Sequence, residues 1–215
     1  MKELLSHEEY RRDSYKLLSE CYYLPDEKLI KILNGLEKSR GELYLEIGKT
    51  IPGISDVESL KIDYSKLFVG PYGLLAPPYG SMYLEDTRMV MGNSTMDVRN
   101  KYEEEGLDIS LKEAPDHIAI ELEYIYFLIH KEVEAIRNSD SGNTAHYLEK
   151  QKVFLETHLG IWVSEFADNV EANAQTEFYK SLARLTKSFI KKDLKSLSDN
   201  SIFVLRRDAT KSNAS

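Results

Sequence analysis

Cysteine occurs once in this 215-residue chain, at Cys21. One thiol can neither close an internal disulfide nor supply a multi-thiolate zinc or iron–sulfur site. Cys21 falls on the apolar side of the first predicted helix and reads as a small buried hydrophobe. Long apolar runs are missing too: no stretch approaches the roughly 18 residues of a membrane-spanning helix. Residues 1–12 lack the apolar centre of a secretory leader, so a cytoplasmic protein without stable membrane insertion is expected. Positive charge is in deficit, with 28 Lys and Arg against 36 Asp and Glu, a net charge of −8. That balance argues against a nucleic-acid partner, whose phosphates demand a basic surface, and leaves room for a cationic one. No Gly-x-x-x-x-Gly-Lys, Gly-x-Gly-x-x-Gly or Gly-x-Ser-x-Gly run is present. Phosphate cradles and serine nucleophiles therefore lack their usual scaffolds, and no catalytic residue is nominated.

Strand-like alternation is also absent, whereas helical spacing is everywhere. Ser6-x-x-Glu9 reads as a capping box opening a helix that carries Tyr10, Ser14, Leu17, Leu18 and Cys21 and stops near Leu24-Pro25. Leu29, Ile32, Leu33 and Leu36 mark a second helix, and residues 41–51 a third. Ser55 is placed to cap a fourth, bearing Val57, Leu60, Tyr64 and Leu67. Met91, Thr95, Val98 and Tyr102 predict another, capped by Asn93 or Ser94 and ended by Gly106. Pro115 then suits the first turn of a helix, with Asp116 at the positive end of its dipole. Ile118, Leu122, Ile125, Ile129, Val133 and Ile136 make that helix the central one, since Ile120, Tyr124, Phe127 and Leu128 give it a second apolar side. Asn143 or Thr144 is expected to cap one continuous helix through Leu148, Leu155, Leu159, Trp162 and Phe166. A last helix spans about residues 171–197, burying Phe178, Leu182, Leu185 and Phe189. The expected fold is all-α: a single-domain helical bundle over residues 1–197, with a polar C-terminal tail at 198–215.

One stretch breaks the pattern. Gly70-Pro71-Tyr72-Gly73-Leu74-Leu75-Ala76-Pro77-Pro78-Tyr79-Gly80-Ser81-Met82-Tyr83 holds three of the six prolines and three of the eleven glycines. Neither helix nor central strand runs through such a sequence, yet it is apolar and aromatic where connections are normally polar. It either packs on its own core or presents a stiff surface to an extended apolar ligand. Beside it stands the Pro115-Asp116-His117 helix start. Asp116 alone reads as a dipole partner, and His117 alone as a partly buried ring bonded to a neighbour. His117 and Glu121, four apart, would suit two metal ligands, but a metal site wants three or four and no second histidine stands at a matching offset. Taken with the loop, these residues suggest an apolar surface edged by carboxylates, fit for a peptide carrying apolar residues and cations.

Three motifs resemble a known family. Tyr64-Ser-Lys-Leu-Phe68-Val-Gly70-Pro71, continuing to Ala76-Pro77-Pro78-Tyr79-Gly80-Ser81-Met82-Tyr83, is similar to the Tyr-x-x-Leu-Phe-x-Gly-Pro…Pro-Pro-Tyr-x-Ser-x-Tyr signature of the TorD/DmsD/NarJ group of redox-enzyme maturation chaperones. Glu113-Ala-Pro115-Asp116-His117-Ile118, followed by Glu121-Leu122, resembles its Glu-x-Pro-Asp-His motif. Phe154-Leu-Glu-Thr-His158-Leu159-Gly-Ile-Trp162-Val-Ser-Glu-Phe166 is similar to its Phe-x-x-x-His-Leu-x-x-Trp helix.

The resemblance implies a TorD-like helical fold and a binding protein rather than an enzyme, with no cofactor or metal of its own. Its partners would be the twin-arginine signal peptide, and the body, of the catalytic subunit of a molybdopterin oxidoreductase. A NarJ-like chaperone for a non-exported client is the near alternative. A metal-dependent hydrolase using His117 and Glu121, or a helical adaptor, stands further off. The resemblance also implies weak guanine nucleotide binding and either a monomer or a domain-swapped dimer, the connection from Gly106 to Pro115 serving as hinge. The expected peptide-binding residues are Phe68, Gly70, Pro71, Pro77, Pro78, Ser81, Tyr83, Asp116, His117 and Glu121. Phe68, Pro71, Pro77, Pro78 and Tyr83 would form an apolar wall. Asp116 and Glu121 would meet the arginines, and His117 would orient Asp116 or bond the peptide backbone. Leu67 is expected in the core behind that wall.

Overall fold

The apolar spacing from Ile118 to Ile136 becomes the axis of the molecule. In the computed structural model, which describes residues 2–36, 56–70, 73–85, 91–107 and 113–199, helix Ile118–Arg137 withdraws seven aliphatic side chains fully from solvent: Ile118, Leu122, Ile125, Leu128, Ile129, Val133 and Ile136. At ~1.5–3 kcal/mol for each such side chain, burial holds this helix, since its many β-branched residues are mediocre helix formers alone. The described residues form nine α-helices in chain order: α1 Lys2–Cys21, α2 Glu27–Gly35, α3 Val57–Tyr64, α4 Ser81–Leu84, α5 Asn93–Glu104, α6 Ile118–Arg137, α7 Ser141–Thr157, α8 Leu159–Asn173 and α9 Glu177–Ser198. Helices α1, α7 and α8 pack on α6, and α9 closes the bundle against α7, α8 and α1.

Local chemistry corrects several expected boundaries. Helix α1 already runs through Ser6, so the capping-box reading there fails. The Asp26 carboxylate caps α2 by accepting from Leu29 N at 2.8 Å, and Asp56, not Ser55, caps α3 through Glu58 N. Helix α5 takes its cap from outside: Glu85 Oε1 accepts from Ser94 N at 2.8 Å and from Ser94 Oγ at 2.6 Å, while Gly92 occupies the cap position itself. The end of α5 is as expected, with Gly106 at φ +70. Asp140, rather than Asn143 or Thr144, caps α7.

The long helix expected through Leu148 and Phe166 is broken at His158, whose φ of −130 and ψ of −102 separate α7 from α8. The two segments approach so closely there that a β carbon on Gly160 would stand 2.3 Å from Leu155 O. Helix α9 begins at Glu177, so Glu171 belongs to α8. Its start is capped by a residue far away in sequence: Asp63 of α3 accepts from Gln175 N, Thr176 N and Thr176 Oγ1. Leu185 and Phe189 are only partly buried on α9. The helix expected at 41–51 and the tail at 200–215 lie outside the described residues, as does most of the hinge between Gly106 and Pro115.

Two further features matter below. Helix α3 runs on into a wide π-helical turn, Ser65–Val69, closed by Gly70 N donating to Ser65 O at 2.7 Å. And α1, α6, α7 and α9 are pinned together by a buried polar cluster around Arg11, which is 3% exposed. Its guanidinium holds Asp193 through two bonds of 2.7 and 3.0 Å, binds Gln151 at 3.0 Å and pairs with Glu8, while Gln151 reaches on to Glu132. Tyr15 OH adds a 2.8 Å bond to Asp193. Cys21 is buried as expected, and desolvation pushes its thiol well above the usual range, so it packs rather than reacts.

Candidate functional site

The second half of the Gly/Pro loop does not hang free. Residues 78–84 form a strap laid across the start of α6. Ile118 N donates to Pro78 O at 2.8 Å and Gly80 N to Asp116 O at 2.9 Å, a one-residue antiparallel bridge between Tyr79 and His117. The Ser81 N–H then donates to Asp116 Oδ2 at 2.8 Å. Proline drives this pairing: Pro77, Pro78 and Pro115 cannot continue helices here, so their neighbours satisfy backbone groups across the gap. From the α5 side, Tyr102 OH donates to Pro115 O at 3.0 Å.

The expected start of α6 shifts by this arrangement. Pro115 and Asp116 lie in the turn before the helix, and His117 is its cap: Ala119 N donates to His117 Nδ1 at 3.2 Å. The imidazole is therefore neutral, with its proton on Nε2. Burial alone drives its pKa down to about 4. Tyr23, in the turn after α1, stacks on the ring at 6.2 Å and Tyr79 meets it edge-on at 5.4 Å. His117 thus positions the helix start; it does not orient the Asp116 carboxylate, which is held by the strap.

Both acids are inside. Asp116 is 1% and Glu121 0% exposed. Trp162 Nε1 of α8 donates to Glu121 Oε2 at 3.1 Å, and Tyr83 stacks flat on Trp162 at 5.5 Å. Gly80 fits beneath them, because a β carbon there would lie 3.0 Å from Trp162 Nε1 and 3.2 Å from Glu121 Oε1. Three buried oxygens of this pocket, Ser81 Oγ, Asp116 Oδ1 and Glu121 Oε1, have no hydrogen-bond partner among the described residues. No lysine or arginine among those residues pairs with either acid. Desolvation, followed by the neighbouring Asp116, holds the Glu121 carboxyl well above the ordinary carboxylate range.

The ten nominated residues separate into groups. Ser81, Tyr83, Asp116, His117 and Glu121 come together as described. Phe68 is corrected: it was expected on an open wall but is 4% exposed, enclosed by Tyr22, Tyr64, Phe166 and Tyr179. Pro78 is buried, and Pro77 and Gly70 are half-buried. Gly70 turns the chain at φ +40, where a β carbon would strike Gly73 O at 2.5 Å. Pro71 lies outside the described residues. The exposed apolar side chains of this stretch are instead Val69 and Leu75. Leu67 is fully buried, as expected. As metal ligands His117 and Glu121 are poorly placed: Nδ1 of one caps α6, an oxygen of the other holds Trp162, and no cluster of three metal-binding side chains occurs among the described residues.

Sequence reasoning missed Trp162, read as core spacing, and Gly80, read only as a turn residue. It also missed the neighbouring pair in which His158 Nε2 meets Asp97 Oδ2 at 2.7 Å, with burial lowering the His158 pKa and leaving its Nδ1 unbonded among the described residues. The Phe154–Phe166 motif carried both Trp162 and His158, so a signal was present.

Comparison with known proteins places the chain in a family. Residues 35–168 match the family model described as nitrate reductase delta subunit. The chain is 30% identical over 132 residues to the Tat proofreading chaperone DmsD of Salmonella typhimurium, covering 60% of this chain and 58% of that protein. It is 29% identical over 141 residues to the chaperone protein TorD of Vibrio parahaemolyticus, covering 62% of each. The chain thus spans under two thirds of these relatives' length. A crystal structure named as a redox enzyme maturation protein from Archaeoglobus fulgidus superposes with a TM-score of 0.57 at 26% identity, covering 84% of this chain and 93% of that one. No helix among the described residues is long and apolar enough to cross a membrane.

Proposed function

The chain belongs to the nitrate reductase delta subunit family, and from that premise we propose that it is a maturation chaperone for a molybdopterin oxidoreductase. It binds the twin-arginine signal peptide of the catalytic subunit, and its body, until assembly is complete. The observation that carries this reading is the pair of buried acids, Asp116 and Glu121, with unbonded oxygens and no cation of their own among the described residues. A guanidinium brings several N–H donors in a planar fork and a permanent charge, which is what two carboxyl groups in one pocket lack. Val69, Leu75 and the half-buried Pro77 and Tyr83 lie on the same stretch of chain and offer apolar surface to the residues that follow the arginines. The relatives named as Tat proofreading chaperones support the same assignment.

Affinity should be moderate. Each buried CH₂ of the peptide contributes ~0.8 kcal/mol, while ordering a flexible leader takes back several kcal/mol. A dissociation constant in the micromolar to submicromolar range is expected, compatible with release of the client. Isothermal titration with an Arg-Arg leader peptide and its Lys-Lys variant tests the proposal. Binding of the first and at least tenfold weaker binding of the second are expected; no binding of any twin-arginine leader from the organism's molybdoenzymes would sink it.

A further inference from the structure

Resting on that reading, we propose that Glu121 is the proton-bearing half of a closed guanidinium receptor. Capture of the peptide arginine lifts the strap of residues 78–84 and expels one proton from Glu121 to solvent.

Burial and the bonding of the two acids argue for both steps. Asp116 and Glu121 are sealed beneath the strap, so an arginine reaches them only when the strap moves. What closes it is modest: the Gly80 N and Ser81 N bonds to Asp116, the Pro78 O bond to Ile118 N, and the Tyr83 stack on Trp162. The Ser81 N–H occupies the Asp116 oxygen that a guanidinium N–H would take. Within the closed pocket Glu121 has one hydrogen bond, from Trp162, and an oxygen without a partner against Gly80.

The groups around Glu121 offer no countercharge. The turn before α6 presents Asp116 and the neutral His117, α5 presents the buried Tyr102 hydroxyl, α8 presents the indole of Trp162, and the strap presents Ser81 and Tyr83. Beyond Asp116 lies His158, itself tied to Asp97, with Lys101 near that pair. Each carboxyl accepts a single hydrogen bond among the described residues, Asp116 from Ser81 N and Glu121 from Trp162 Nε1, and the neighbouring Asp116 disfavours a charge on the fully buried Glu121. Burial holds Glu121 in its protonated form. An arriving guanidinium reverses the balance, because an adjacent cation favours the carboxylate. The bookkeeping closes simply: the Glu121 O–H bond breaks, the proton passes to buffer, and the arginine stays protonated throughout.

The test is titration of the full-length protein with the Arg-Arg leader peptide in phosphate, imidazole and Tris at one neutral pH. The slope of observed enthalpy against buffer ionisation enthalpy counts the protons released. About one per peptide is expected, with affinity rising about tenfold per pH unit below the Glu121 transition. Glu121→Gln should bind with a slope near zero and a flat pH profile, whereas Glu123→Gln, a half-exposed acid outside the pocket, should behave as wild type. Hydrogen exchange at the Gly80 and Ser81 amides should quicken when peptide binds. Intact binding with buffer-independent heats would overturn proton expulsion, and unchanged exchange with intact binding would overturn the lifting strap. Both readings are made on the wild type, so they stand even if the variant folds poorly. Absence of any peptide binding would instead remove the chaperone reading on which this rests.

Discussion

Two buried polar clusters, both involving α6, were built to opposite specifications. Around Arg11 a guanidinium supplied by the chain meets Glu8, Asp193, Gln151 and, at 3.9 Å, Glu132, and four helices are tied by its bonds. Around Asp116 two acids meet a strap, an indole and a neutral imidazole, and no cation among the described residues joins them. A buried carboxylate is tolerated when its partner comes with the fold. Where the partner is left out, burial favours the neutral form of Glu121, and the proposed peptide arginine would supply the missing cation. One cluster spends its guanidinium on architecture. The other has none of its own among the described residues.

That contrast can be broken most forcefully at Arg11. Arg11→Met leaves several buried acids without their cation and should cost about 3–5 kcal/mol of stability, read from urea unfolding at neutral pH; a loss under about 1 kcal/mol would abolish the distinction between the clusters. The next largest effect lies in the pH dependence of the second cluster. His117 falls from its usual value near 6.5 to about 4 in the folded protein. Between those values the unfolded chain binds more protons, so this contribution to stability is full above pH 6.5 and is lost as pH drops toward 4. The span amounts to roughly 3 kcal/mol. Glu121 acts in the opposite sense: its raised folded value favours the folded state below the unfolded carboxyl range, an advantage lost as pH rises. The His117 slope should therefore emerge cleanly in a Glu121→Gln background and vanish when His117→Asn, which can still cap α6, is added.

A smaller effect is expected from Gly80→Ala. Gly80 has an ordinary φ of −57, so the penalty is steric, from the contacts with Trp162 and Glu121. A loss of about 1 kcal/mol is expected, with faster exchange of the strap amides; undiminished stability and exchange would mean the strap is not held where described. The smallest effect should come from Glu121→Gln itself. If the glutamate already carries a proton, an amide of the same shape that still accepts from Trp162 should alter stability at neutral pH by less than about 1 kcal/mol. A loss as large as that of Arg11→Met would show an ionised carboxylate and make the two clusters alike.

Much of the bundle was legible because burial follows spacing: Ile118 to Ile136 reads as a central helix from its sequence and is one. Boundaries were legible only where the capping group is local. Asp63 caps α9 from more than a hundred residues away, and Glu85 caps α5 from outside the helix, and neither partnership leaves a periodic trace. The break at His158 escaped because apolar spacing continues across it, while the close approach that Gly160 permits there leaves no periodic trace. The candidate site was half legible. Residue types and order pointed to the loop and to the Asp116 turn as one unit. Exposure did not follow, because a proline-rich segment that cannot pair with itself pairs with the nearest helix start and seals what lies beneath.

The wide turn at Ser65–Val69 sets where that strap can begin. Leu67 and Phe68 lie in this turn and both face inward, and a widened turn advances the chain by one residue more than the roughly 100° per residue of normal helical pitch would place it. The extra residue works as a phase shifter inserted between scaffold and loop. Deleting one residue from it would restore a regular helix and swing every downstream side chain by roughly a quarter turn, so the loop would leave the bundle on another bearing and arrive at α6 out of step. Local regularity here would be gained at the expense of the direction in which the loop sets out.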